Sequence, residues 1–74
     1  MATERHPVLV ALGKQIRSVR KSRGISQEDF AADAGLGRSY YGGVERGERN
    51  ISALNLMRIA AALKVEDGNL FPSA

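Results

Sequence analysis

The side chains in this sequence that can do chemistry are almost all hydrogen-bond donors rather than nucleophiles. Lys14, Arg17, Arg20, Lys21 and Arg23 fall within ten residues that contain no acid, and Arg38, Arg46 and Arg49 follow, interrupted by Glu45 and Glu48. Eleven Lys and Arg against eight Asp and Glu leave a formal charge of +3. Such a field concentrates phosphate around a small domain and speeds encounter with a polyanion such as nucleic acid. The same charges also make a solvated helix face that keeps a small protein in solution, and charge alone leaves both readings open. Catalysis finds no constellation. Cysteine is absent and His6 is the single histidine, which excludes a thiolate and a metal cage alike. Glu28, Asp29 and Asp33 share one short predicted helix, where a solvated face is the default. Gly35-Leu36-Gly37 lacks the lysine and preceding strand of a phosphate loop, and Tyr40 stands where a dinucleotide fingerprint needs its third glycine. The expectation is a binding protein, not an enzyme, with no cofactor, no metal and no evident small-molecule ligand.

Seventy-four residues must position those groups. A chain this short buries only roughly 60% of its unfolded surface, so its own core is marginal. Without disulfides or a metal, tight helix packing and a partner subunit remain as sources of stability. Apolar residues at 43% and charged residues at 26% make a globular balance rather than a disordered one. The longest apolar runs, Val8 to Leu12 and Ile59 to Leu63, are five residues each. A membrane span needs about 20 and a signal-peptide core about 7 to 15. The chain therefore reads as a soluble, cytoplasmic single domain with no membrane partner.

The periodicity is helical nearly throughout. Leu9, Leu12, Ile16 and Val19 recur at spacings of three and four, Pro7 suits a helix start, and Gly24 suits a left-handed end, which predicts a first helix near residues 7–23. Ser26 can cap a second helix of about eight residues, with Glu28 and Asp29 at the positive end of its dipole and Gly35 as its stop. A third helix is predicted from about Arg38 to Arg46, with Tyr41 and Val44 inward and Gly47 at its end. Ser52 can cap a fourth, about 53–64, whose stripe is Leu56, Ile59, Ala60 and Leu63. A last short turn around Glu66 to Leu70 packs Val65, Leu70 or Phe71 on the core. Residues 1–6 and 72–74 are expected to be flexible ends of one domain spanning 7–71. No alternating run is long enough for a strand, so the fold class is all-α with five short helices.

Gln27 to Arg46 thus reads as two short helices joined by a sharp turn, the layout of a helix-turn-helix. Ala31 is the small residue needed where the two helices cross, and Gly35 supplies the left-handed turn without steric cost. The stretch QEDFAADAGLGRSYYGGVERGERNIS, with LGKQIRSVRKSRGISQ upstream and ALNLMRIAAAL downstream, resembles the Cro and phage-repressor family, also called the XRE family, over roughly residues 9–71. The small size, Arg38-Ser39-Tyr40-Tyr41 and Glu45-Arg46-Gly47-Glu48-Arg49-Asn50 are also similar to the controller proteins of restriction-modification systems.

The resemblance implies a lambda-repressor-like domain whose third helix lies in the major groove of DNA. There Arg38, Ser39 and Tyr40, at the start of that helix, would reach base edges, Arg38 forking onto O6 and N7 of guanine. Gln27, at a helix start where backbone amides face an anion, is implied as a phosphate contact. Arg17, four residues from Lys21, could flank a phosphate strand, and Arg46, Arg49 and Asn50 could bind phosphate or lie over the groove near the operator's centre. A carboxylate would repel DNA, so Glu45 reads as structural, capping or paired with a nearby arginine. Gly42 and Gly43 depart from the family pattern and together cost about 2 kcal/mol of helix propensity. Gly43 leaves no side chain where the family often has a longer polar reader. Either fewer bases are read, or the backbone approaches DNA more closely there.

Leu54, Met57 and Ala61 lie on a second side of the fourth helix with no evident intrachain partner. They predict an isologous dimer interface, with Val65 and Phe71 nearby. The expected function is a homodimeric, sequence-specific transcriptional regulator acting on a palindromic operator in double-stranded DNA. The alternative is an antitoxin or protein-interaction module built on the same fold. Membrane-surface binding by the basic first helix fails because the core needs its apolar stripe.

Overall fold

Side-chain caps and left-handed residues set the helix boundaries in the computed structural model, which describes residues 6–64. Four α-helices follow in order: α1 (Pro7–Ser22), α2 (Gln27–Ala34), α3 (Arg38–Glu45) and α4 (Ala53–Leu63), with no strand among the described residues. The His6 Nδ1 accepts a hydrogen bond from the Val8 amide at 3.1 Å and Pro7 opens α1. His6, assigned from sequence to a loose start, is therefore the N-cap. Ser26 Oγ accepts from the Asp29 amide and Ser52 Oγ from the Asn55 amide, each at 3.1 Å, as the sequence suggested. Helices α1, α3 and α4 each stop one residue short of the expected Arg23, Arg46 and Lys64, because those residues serve as C-caps. Lys64 takes a left-handed conformation at φ 59°, a position usually given to glycine. The fifth turn expected at 66–70 lies outside the described residues, as do Val65 and Phe71.

Leu12 and Ile16 of α1 meet Phe30, Ala31 and Ala34 of α2, Tyr41 and Val44 of α3, and Ile59, Ala60 and Leu63 of α4 in one buried cluster. Val19 and Leu56, also expected inward, are half-buried at its margin, and Leu9 is half-buried. The Phe30 and Tyr41 rings pack with centroids 5.0 Å apart and planes tilted by 49°, an edge-inclined arrangement that joins α2 to α3. Ala31 is buried where the sequence needed a small residue. A second small residue matters equally. A Cβ at Gly13 would lie 2.5 Å from the carbonyl oxygens of both Val44 and Glu45, so only glycine lets α1 reach the backbone at the end of α3. The packing of α1 on α3, and of α2 on α3 and α4, fixes the orientation of α3.

Candidate nucleic-acid interface

The inner anchor of α3 is its last residue. Glu45 is buried and accepts two hydrogen bonds from Arg20, Nε to Oε2 at 2.6 Å and Nη2 to Oε1 at 3.1 Å. Arg20 also donates from Nη1 to the Ile25 carbonyl at 2.6 Å, and Gln27 donates from Nε2 to Glu45 Oε1 at 3.0 Å. One carboxylate thus ties α1, the α1–α2 turn and the first residue of α2 to the end of α3. Burial pushes the Glu45 carboxyl upward, but the bonds from Arg20 and Gln27, the nearby Tyr41 hydroxyl and the Arg20 charge outweigh it, leaving its pKa below the ordinary carboxylate value. The hydrogen bond to Glu45 raises the Arg20 pKa in turn, against the opposing effect of burial. The Tyr41 hydroxyl lies buried beside this pair without good hydrogen-bond geometry to any described residue. Burial first, then the neighbouring Glu45, drives its pKa far above the usual phenol value.

Two sequence readings change here. Arg20 leaves the solvated basic face and becomes a structural cation, its side chain only 8% exposed. The signal was present in register, since 12, 16 and 20 follow one another at intervals of four on the buried side of α1. Glu45 pairs with an arginine as expected, and the arginine is Arg20. Gln27, offered from sequence as an outward contact, is half-buried and commits one hydrogen of its amide to Glu45.

On the outer side of this anchor, Gln27, Arg38, Ser39, Gly42 and Arg46 line an open cleft of about 470 Å³. Four of the residues singled out from sequence meet there, from the start of α2 and along one face of α3. Arg38 and Ser39 are exposed, and Arg46 pairs with Glu48 at 2.9 Å in solvent, a contact that costs little to exchange for another anion. Two more residues meet on the adjacent flank. Arg49 Cζ stands 5.9 Å from the centroid of the Tyr40 ring, and Tyr40 Oη accepts from Asn55 Nδ2 at 3.1 Å. The Arg49 stem covers Gly43, so the backbone there is not open to close approach from outside. Arg17 is exposed on α1 and lines no part of the cleft, while Asn50 borders a separate hollow of about 380 Å³ with His6, Val8 and Leu9. On α4, Leu54 and Met57 are 58% and 55% exposed and Ala61 is exposed too. Val8, not singled out from sequence, is a further exposed apolar residue.

The arrangement offers guanidinium and hydroxyl donors around a helix end, which suits an extended anion with acceptor groups. No cluster of His, Asp or Glu among the described residues could hold a metal, and none of the described helices is long and apolar enough to cross a membrane.

Comparison with known proteins gives concordant results. A family profile described as helix-turn-helix matches residues 16–68. Control protein C.MunI of Mycoplasma sp is 38% identical over 65 residues, covering 86% of this chain and 88% of that protein. Among solved structures, the restriction-modification controller protein C.AhdI from Aeromonas hydrophila superposes with a TM-score of 0.87 at 47% identity, covering 89% of this chain and 100% of that one. The biofilm master regulator SinR, solved in complex with DNA, superposes with a TM-score of 0.76 at 33% identity over 80% of this chain and 95% of that one.

Proposed function

The chain belongs to the helix-turn-helix family of the Cro and phage-repressor type, and from that premise we propose that it is a sequence-specific transcriptional regulator that binds a palindromic operator as a homodimer. The narrower role is that of a restriction-modification controller protein, supported by the similarity to C.MunI and C.AhdI. The observation that carries the reading is the cleft joining Gln27 at the start of α2 to Arg38, Ser39 and Arg46 on α3. In this reading α3 enters the major groove, with Arg38, Ser39 and Tyr40 at base edges and Gln27, Arg17, Arg46, Arg49 and Asn50 at phosphates. Gln27 contacts phosphate through the remaining hydrogen of its side-chain amide. Leu54, Met57 and Ala61, with Val65 and Phe71, form the subunit contact, and a fifth helical turn at 66–70 completes a domain spanning 7–71. The regulator works in the cytoplasm, carries no catalytic residue and is governed by its own concentration.

The test is selection from a library of randomised duplexes, followed by titration of the selected and a scrambled duplex at three salt concentrations. Binding through phosphates weakens steeply with salt, whereas the apolar interface of an antitoxin or interaction module does not. Failure to enrich any sequence, with no salt-dependent binding, refutes the regulator.

A further inference from the structure

We infer that Asn55 is a positioning residue that fixes the polarity of Tyr40, so that the Tyr40 hydroxyl meets DNA as a hydrogen-bond donor and selects an acceptor on a base edge. The inference deepens the DNA-binding reading above and rests on it. A phenol oxygen both donates and accepts, so a free tyrosine suits donor and acceptor edges alike. Tyr40 is not free. Its ring is half-buried against the core cluster, and its Oη accepts from Asn55 Nδ2 on α4 at 3.1 Å. With that side of the oxygen taken by an incoming N–H, the phenol's own hydrogen turns away from α4 and is left for a ligand.

The direction of that bond is set one turn further along α4. A side-chain amide can face either way, and a flipped Asn55 would accept from Tyr40 instead. Arg58 opposes the flip. Its Nη1 stands 3.5 Å from Asn55 Oδ1. A guanidinium has donors only, so the amide oxygen belongs on the Arg58 side and the amide nitrogen on the Tyr40 side. In the major groove the acceptors are N7 and O6 of guanine, N7 of adenine and O4 of thymine. Cytosine offers its amino group alone, which is a donor. A Tyr40 presented as a donor therefore has a partner on three bases and none on cytosine.

Asn55→Asp reverses the bond with hardly a change in shape, because a carboxylate only accepts, from Arg58 on one side and from the Tyr40 hydroxyl on the other. The fold tolerates it, since an acid three residues after the Ser52 cap suits the start of α4. Tyr40→Phe removes the hydroxyl. Each variant and the double variant are titrated on the duplex selected by the wild-type protein, on a panel substituted at one base pair at a time in both half-sites, and on a scrambled duplex. Far-UV circular dichroism and sedimentation check fold and dimer. The added charge of Asn55→Asp weakens every duplex alike, so discrimination is read as a ratio to the scrambled one. Expected is a loss of discrimination of about fivefold or more at the same base pair for both single variants, with no further loss there in the double variant. Asn55→Asp alone should also shift the preference at that base pair toward cytosine, because its phenol now presents an acceptor. Discrimination unchanged in Asn55→Asp, a loss without the shift toward cytosine, or a Tyr40→Phe that loses none anywhere overturns the inference and leaves the regulator intact. A wild-type protein that enriches no sequence removes the regulator itself, and this inference with it.

Discussion

Replacing Glu45 by glutamine tests the anchor on which the orientation of α3 depends. The Arg20 and Glu45 side chains are 8% and 2% exposed. Removing one charge of such a pair leaves the other buried without compensation, which costs about 3–5 kcal/mol. The total stability of a domain this size is about 4–11 kcal/mol, at roughly 0.05–0.15 kcal/mol per residue. Glu45→Gln should therefore remove much of it and lower Tm by about 12–40 °C, at about 4–8 °C per kcal/mol. The pair as a whole is worth far less than this. Arg20→Met with Glu45→Leu removes both charges together and should recover most of the loss. The pH dependence follows from the lowered pKa of Glu45, whose unfolded value is near 4.5. The unfolded chain binds the proton more readily, so the contribution of Glu45 is complete above that value and disappears as pH falls through the lower folded one. Thermal melts at fixed protomer concentration, from about pH 7 down to about pH 3, should show an acid limb that is shallower in Glu45→Gln. A variant melting within about 4 °C of wild type at neutral pH, or one with an unchanged acid limb, refutes this account of the anchor.

Leu54→Asp with Met57→Asp should convert a dimer to a monomer in sedimentation at tens of micromolar, and a variant that dimerises like wild type removes the proposed interface. Gly13→Ala places a methyl 2.5 Å from two carbonyl oxygens and should cost about 1–3 kcal/mol or more, read as a lower Tm. Unchanged melting would mean that α1 and α3 can separate freely. Arg38→Ala should lose roughly 1–3 kcal/mol per half-site on the selected duplex and much less on a scrambled one. Gln27→Ala should instead weaken both duplexes alike, and Arg46→Ala should lower the salt slope by about one per subunit. Equal losses on both duplexes for Arg38→Ala would move Arg38 among the phosphate contacts.

Much of the architecture was legible because short helices announce themselves twice, by periodicity and by punctuation. Ser26, Ser52 and Gly35 each have one plausible local role, and each plays it. The cleft was legible in part: Gln27, Arg38, Ser39 and Arg46 were singled out and do converge. What escaped depends on partners far apart in the chain. Arg20 and Glu45 are 25 residues apart, so although the register of Leu12 and Ile16 sets Arg20 apart from Arg17 and Lys21, the partner that allows its burial is not local. Gly13 carries no left-handed conformation to betray it, and its need is set by the carbonyls of another helix. Gly43 read as a gap because the residue that fills it comes from the following loop. His6 was discounted for its position near the chain start, although a ring nitrogen can cap a helix as an oxygen does.

The bond from Asn55 to Tyr40 has a consequence for the spacing of the DNA site. Asn55 lies between Leu54 and Met57 on α4, so a single helical turn carries both the proposed subunit contact and the tether to the reading flank. In the proposed dimer no flexible linker intervenes between the dyad and the proposed readers. Such a dimer is a fixed ruler. Adding or deleting one base pair between half-sites rotates one of them by roughly 35° about the duplex axis, given about 10–10.5 base pairs per turn. A hinged regulator absorbs that rotation in its linker, whereas this one has to force it into the twist of the DNA. The uncontacted centre of the operator thereby enters recognition, because its stiffness decides whether both half-sites can be brought into phase.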